Sequence, residues 1–312
     1  MSAAPRDRAS ARRLLGDPRQ HAAVRRIVLD DGPERGVRAL AFSTGGGLDF
    51  WALADRSLDI GPLWRRGRQL GWQSPNGFRA PALHDAEGDG GRGIERSLSG
   101  LLVTCGLDHV RRPESGAPLH GRLPLTPARV IACGEDWERA EPALFAEGEV
   151  TQARLNGEML RLRRRIEAPI GGARIVIDDA VENLGPAAQA HDLLYHVNLG
   201  HPLVGPEATL ALDGAGLAWP DGSGGPAVSC RAIGATRPVA VTAAGDGAAI
   251  TLRFDAASLP FLQLWRNALP GINVGGIEPC TADRAAAVQS SVPGPPLAPG
   301  EIRRYRLELE FG

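Results

Sequence analysis

Two segments of this chain carry residue types that can move protons. The first reads His191-Asp-Leu-Leu-Tyr-His196-Val-Asn198-Leu-Gly-His201. Successive side chains of a strand point to opposite faces, so on a strand Leu194, His196 and Asn198 share one face, and His191 and Tyr195 the other. A histidine and an asparagine interrupting an apolar strand need hydrogen-bond partners if buried. His196 is then either a structural imidazole satisfied by backbone or a general acid. The second segment is Gly275-Gly-Ile-Glu278-Pro. A carboxylate at the end of an apolar strand suits a general base, and its bland alternative is a turn carboxylate capping backbone N–H groups.

Other candidates are more scattered. His109 follows the apolar run 100–108, and His120 opens His-Gly-Arg122 after a loop. In Asp55-Arg56-Ser-Leu-Asp59, Arg56 and Asp59 can pair with each other or offer donors and acceptors to the hydroxyls of a sugar. Trp51, Trp64, Trp72 and Trp265 are flat surfaces for a pyranose ring, or simply core. His109, His120, His196 and Glu278 could together hold a metal, although their spacing has none of the tightness of known ligand motifs. His21 and His84 lie in polar or loop contexts and receive no role.

The elements that must position these residues read as strands almost throughout. Val150–Leu155 alternates into Asn156-Gly157, a two-residue hairpin signal. Leu160, Leu162 and Ile166 then alternate with Arg161, Arg163 and Arg165, and Gly171-Gly172 turns the chain into Ile175, Ile177 and Val181. Near the end, Tyr305, Leu307, Leu309 and Phe311 share one face while Arg304, Arg306, Glu308 and Glu310 share the other, a strand with one wet face. Helical periodicity is weak, and the first 22 residues read either as a frayed lead-in or as a short helix around Ser10–Leu15. Residues 85–93 and 220–226 read as exposed loops, and 291–300 as a Pro-rich connector. The expected organisation is a lead-in over 1–22 and one antiparallel β-sandwich domain over 23–312.

Composition narrows the chemistry. The chain has 312 residues, and its 35 basic residues are all arginine. Without lysine there is no Schiff base, no phosphate-loop lysine and no kinase-type lysine. With 36 acidic residues the net charge is −1, which argues against a nucleic-acid partner. No apolar run is long enough for a membrane span or a signal-peptide core. The four cysteines lack a C-x-x-C pair, so reduced thiols in a cytoplasmic protein are expected. G-x-S-x-G, H-E-x-x-H and G-x-G-x-x-G motifs are absent.

The segments Asp55-Arg-Ser-Leu-Asp59-Ile, Leu101-Leu-Val-Thr-Cys-Gly-Leu-Asp-His109, Leu119-His-Gly-Arg122, Tyr195-His-Val-Asn-Leu-Gly, Ile277-Glu-Pro and Pro299-Gly-Glu resemble, in that order, the DUF4432 family. That family is similar to the aldose 1-epimerases, or galactose mutarotase-like proteins. The resemblance implies an all-β supersandwich of antiparallel strands with a sugar site in a concave cleft and no cofactor. In mutarotases a glutamate is the general base, one histidine the general acid, and a histidine in a His-Gly motif binds near the ring oxygen. Carried over by motif these are Glu278, His196 and His120. One departure is visible: the mutarotase histidine stands four residues before the strand's Asn-Leu, where this chain has Leu194. His196 stands two before it, on the same strand face.

The expected activity is therefore a cofactor-free sugar 1-epimerase on an aldose or sugar acid. Glu278 and His196 would be catalytic, with His120, His109, Arg56, Arg122, Asn198 and Gln263 contacting substrate. Two other classes stay open: a metal-assisted isomerase or lyase on a keto-sugar or uronate, using His109, His120, His196 and Glu278 as ligands, and a non-catalytic carbohydrate-binding protein. The expected partner is a small carbohydrate, and the oligomeric state is open, a homodimer included.

Overall fold

A computed structural model describes residues 5, 7–110, 116–283 and 294–312. Residues 291–293 of the expected connector lie outside the described residues. The lead-in forms helix α1 (Arg8–Leu14). It starts two residues earlier than expected because Asp7 caps it: the carboxylate accepts from Ser10 N at 2.7 Å, and Ser10 Oγ accepts from Asp7 N at 3.2 Å.

The regular structure that follows is nearly all strand, apart from short helical turns such as Gly88–Gly91 and Gly93–Arg96. The strands are β1 (Ala23–Val28), β2 (Arg38–Ser43), β3 (Leu48–Leu53), β4 (Asp59–Arg65), β5 (Arg68–Gln69), β6 (Leu102–Leu107) and β7 (Arg129–Asp136). Next come β8 (Ala143–Ala153), β9 (Met159–Pro169), β10 (Arg174–Asn183), β11 (Asp192–Leu199), β12 (Thr209–Leu212) and β13 (Ala215–Leu217). The last are β14 (Ala227–Ala232), β15 (Pro238–Gly245), β16 (Ala248–Asp255), β17 (Phe261–Asn267), β18 (Val274–Cys280) and β19 (Ile302–Phe311). Three sheets result. β1 to β5 pair in chain order, a nine-stranded sheet runs β13-β12-β15-β16-β19-β10-β9-β8-β7, and a third runs β14-β17-β18-β11-β6.

The nine-stranded sheet follows the alternation in the sequence. Leu160, Leu162, Ile166, Ile175, Ile177 and Val181 are buried, as are Tyr305, Leu307, Leu309 and Phe311. The arginines between them face outward and pair across strands, as Arg306 does with Asp178. The β8–β9 turn is longer than the two residues expected: it spans Arg154 to Glu158, closed by Arg154 N to Glu158 O and Gly157 N to Arg154 O, both 2.9 Å. Asn156 takes the left-handed φ of 58°, which asparagine tolerates. Arg164 is the inward exception on β9, only 3 % exposed.

All three sheets feed one continuous core, with Phe42 and Phe50 from the first, Leu162 and Ile177 from the second, and Tyr195, Val197 and Ile277 from the third. β11 is buried on both faces. Leu193, Tyr195, Val197 and Leu199 enter that core, whereas Leu194 packs with Val103, Cys105 and Cys280 on the other side. That second face of the third sheet carries the candidate site.

Candidate active site

Strand register builds the site. Gln263 of β17 pairs with Glu278 of β18. On the other edge of β18, Leu194 pairs with Cys280 and Val197 with Ile277, so the same register sets His196 opposite Glu278. Gln263, Glu278 and His196 therefore stand in a row across three adjacent strands, on one face. Glu278 is fully buried and His196 is 3 % exposed. His196 Nε2 lies 3.3 Å from Glu278 Oε1, and Glu278 Oε2 accepts a hydrogen bond from Gln263 Nε2. The ring of His120 meets that of His196 edge-on at 5.3 Å, and Trp265 meets it at 5.4 Å. Gly276 leaves room for the pair: a Cβ there would lie 2.7 Å from Glu278 Oε1 and 3.1 Å from His196 Cε1.

His120 comes from a loop stitched to β6. Gly106 N donates to His120 O at 3.0 Å, and Leu123 N to Gly106 O at 2.8 Å. Gly121 has φ 75°, and a Cβ on it would lie 2.5 Å from Gly106 O and 2.6 Å from His109 O. The His-Gly pair is thus a geometric requirement, since only glycine fits both the dihedral and the close approach.

These side chains floor a cavity of about 660 Å³, walled by Trp72, Trp265, Leu98, Leu119 and Ile272 with Arg92 and Glu95 among its polar groups. That volume is of the size that takes a small organic ligand. Trp72 Nε1 donates to Ile272 O at 2.7 Å, joining two segments of the wall. A second groove of about 590 Å³ crosses the outer face of the nine-stranded sheet, among charged residues such as Arg163, Asp178 and Arg306. None of the candidate residues lines it.

The structure brings together Glu278, His196, His120 and Gln263, and leaves the other four outside the cavity lining. Arg56 is buried elsewhere, donating to Ser97 O at 2.6 Å and lying 5.7 Å from the Phe78 ring. Burial pushes its guanidinium down to about 10. Asp59, a candidate either to pair with Arg56 or to contact a sugar, is held by Arg164 at 2.8 Å. Arg122 is bound to Glu87 at 3.0 Å. Asn198 is buried, its Nδ2 given to Gly100 O at 3.0 Å. His109 is buried beside Asp108, 3.8 Å away. Among the described residues no three His, Cys, Asp or Glu side chains group as metal ligands, so the four-residue set His109, His120, His196 and Glu278 does not assemble as one. Trp72 and Trp265 line the cavity, while Trp51 and Trp64 pack against each other at 5.6 Å.

Arg92, Glu95 and Ile94 were not expected at the site. The glycine-rich stretch 85–93 that leads into them reads as an exposed loop, yet Gly91 and Gly93 are buried. A Cβ on Gly93 would collide with Asp85 O, so this glycine marks close packing rather than exposure.

A family model described as a domain of unknown function, DUF4432, matches residues 34–224. The chain belongs to the DUF4432 family. The match contains His120 and His196 but stops short of Gln263 and Glu278. No curated protein matches the chain. Among solved structures, this DUF4432 chain resembles a candidate aldose 1-epimerase from Klebsiella pneumoniae at TM-score 0.79 and 20% identity, over 92% of this chain and 83% of that one. It also resembles a galactose mutarotase-like protein from Clostridium acetobutylicum at TM-score 0.66 and 11% identity, over 94% and 99% of the two chains. A galactose 1-epimerase from Lactobacillus acidophilus matches at TM-score 0.57 and 11% identity, over 93% and 98%. These likenesses show a galactose mutarotase-like, all-β fold. Among the described residues no helix is long and apolar enough to cross a membrane.

Proposed function

We propose that this DUF4432 protein is a sugar 1-epimerase working by general acid and base catalysis without a cofactor. The carrying observation is the buried row of Gln263, Glu278 and His196, with His196 Nε2 3.3 Å from Glu278 Oε1. Anomer exchange of a cyclic sugar needs a base at the anomeric hydroxyl and an acid at the ring oxygen, and both oxygens sit on one carbon. The two groups must therefore lie close together, as this carboxylate and imidazole do. Glu278 takes the proton from the anomeric hydroxyl as the C1–ring-oxygen bond breaks, and His196 gives its proton to the ring oxygen. The open-chain aldehyde turns about C1–C2 and recloses from its other face. In closing, His196 recovers the proton from the attacking hydroxyl and Glu278 returns one to the new anomeric oxygen. His120, edge-on to His196, contacts the substrate near the ring oxygen, and Trp72 and Trp265 offer ring-sized apolar surface.

The lining favours a neutral aldose over a sugar acid. Arg56 and Arg122 lie outside it, and Arg92, the one arginine among its described lining residues, is ion-paired with Glu95. The test is NMR of anomer exchange over a panel of aldoses, deoxysugars and uronates, with wild type and with Glu278→Gln. Exchange should accelerate for a neutral aldose, and the folded variant should lose that acceleration by about 10²-fold or more. Full activity in Glu278→Gln removes the assignment.

A further inference from the structure

Several of the motifs in this chain never reach the cavity, and three of them converge behind it. Asp59 of Asp55-Arg-Ser-Leu-Asp59, Thr104 of Leu-Val-Thr-Cys, and Tyr195 beside His196 meet around Arg164 in the space between the sheets. Arg164 Nε and Nη2 hold Asp179 at 2.9 and 2.7 Å, Nη1 holds Asp59 Oδ1 at 2.8 Å, and Nη2 donates to Thr104 Oγ1 at 2.8 Å. Tyr195 Oη donates to Asp179 Oδ2 at 2.7 Å. Thr104 N and Oγ1 donate to Asp59 at 2.9 and 2.6 Å. These five residues come from β4, β6, β9, β10 and β11, so the cluster ties all three sheets together, and each is at most 5 % exposed.

Stability alone is a weak reason for such a cluster, because apolar side chains of similar volume would hold the sheets together as well or better. What directional bonds add is one fixed register. The site needs that. A two-residue slip of β11 would keep its faces and set Leu194 or Asn198, not His196, against Glu278. The β11–β18 ladder is interrupted at this point, because by register Tyr195 faces Pro279, which has no N–H to give. Here β11 is held by its β6 edge, where Tyr195 pairs with Thr104 and His196 with Val103.

We propose that the Tyr195–Asp179–Arg164 chain fixes the position of β11 at this gap in its ladder, making Tyr195 and Asp179 positioning residues for His196. The catalytic part of the test rests on the 1-epimerase reading; the geometric part does not. Burial, and then the neighbouring Asp179 carboxylate, push the Tyr195 hydroxyl well above its ordinary value, so it stays a donor to Asp179 throughout the working pH range.

The experiment is Tyr195→Phe, which keeps the ring and removes the hydroxyl, read by kinetics and by NMR of the histidine side chains. Expected are a kcat for anomer exchange lowered about tenfold with KM within about twofold, and displaced ring resonances of His196 with those of His21 unmoved. Thr104→Val, a softer perturbation of the same cluster, should displace His196 in the same direction. Val239→Ala, in the core of β15, supplies a loss of stability from elsewhere. Unmoved His196 resonances in both cluster variants, or an equal kcat loss and displacement in Val239→Ala, overturn the proposal. Should wild type accelerate exchange of no sugar, the 1-epimerase reading fails, and the His196 resonances still decide the positioning role.

Discussion

Glu278 Oε2 accepts from Gln263, whereas Oε1 lies 3.3 Å from His196 Nε2 and accepts no hydrogen bond among the described residues. Oε1 is thus the acceptor that a substrate hydroxyl would meet, directly beside the imidazole, and small changes in the spacing of the two side chains should matter greatly. Gly276→Ala is the sharpest probe, since its methyl would lie 2.7 Å from Glu278 Oε1. We expect at least a tenfold loss in kcat/KM with thermal stability changed little, measured by exchange kinetics beside calorimetry. At this scale the sequence was partly legible. Glu278 and His196 could be picked out because each is a polar residue in an apolar strand, and His120 by the His-Gly motif that resembles the family's, whereas Gln263 stood only among the candidate sugar contacts. Arg56 and Arg122 could not be placed: an arginine's type is the same whether it is buried over a phenyl ring, tied to a surface glutamate or aimed at a ligand. The site arginine, Arg92, lay in a stretch whose glycines looked like loop.

Individual elements were legible where they are local. Alternation gave the meander β8–β9–β10 and the wet face of β19, and turn residues marked the breaks. Long-range pairing leaves no local mark, so nothing in the sequence placed β11 between β18 and β6, or β19 between β16 and β10. The His120 loop shows what such pairing demands. Gly121→Ala would force a methyl against Gly106 O and His109 O at a positive φ. We expect a loss of more than about 1 kcal/mol in unfolding free energy and a fall in kcat as His120 is displaced. Normal stability in this variant would mean that the loop adapts, and that the Gly106–Gly121 contact does not hold His120 in place.

For the whole molecule, two buried groups pull stability in opposite directions with pH. Burial pushes His191, bound to Leu107 O and Tyr305 Oη at 2.7 and 2.8 Å, down to about 4. The folded state resists protonating it, so its contribution is intact above the usual histidine range and is lost as pH falls from about 6.5 through 4. Burial pushes Asp59 up to about 6, with Arg164 and Thr104 acting against the shift. There the folded state takes up the proton first, so stability is gained as pH falls through 6 towards 4. Each effect is on the order of 3 kcal/mol, and in wild type they largely cancel. Thermal unfolding from pH 7 to 4.5 should show the gap between wild type and His191→Gln narrowing on acidification, and the gap to Asp59→Asn widening. Gaps that stay constant would show that neither group titrates as its surroundings demand.

β19 joins two half-sheets, β13-β12-β15-β16 and β10-β9-β8-β7, that share no other ladder. Its residues also come after every other described strand in the sequence, so during translation both halves must wait with open edges until residues 302–311 leave the ribosome. A nascent chain halted before them would present two open strand edges, those of β10 and β16, to other chains and to chaperones. The nine-stranded sheet is therefore closed later than either of its halves can form, by ten residues that bury Tyr305, Leu307, Leu309 and Phe311.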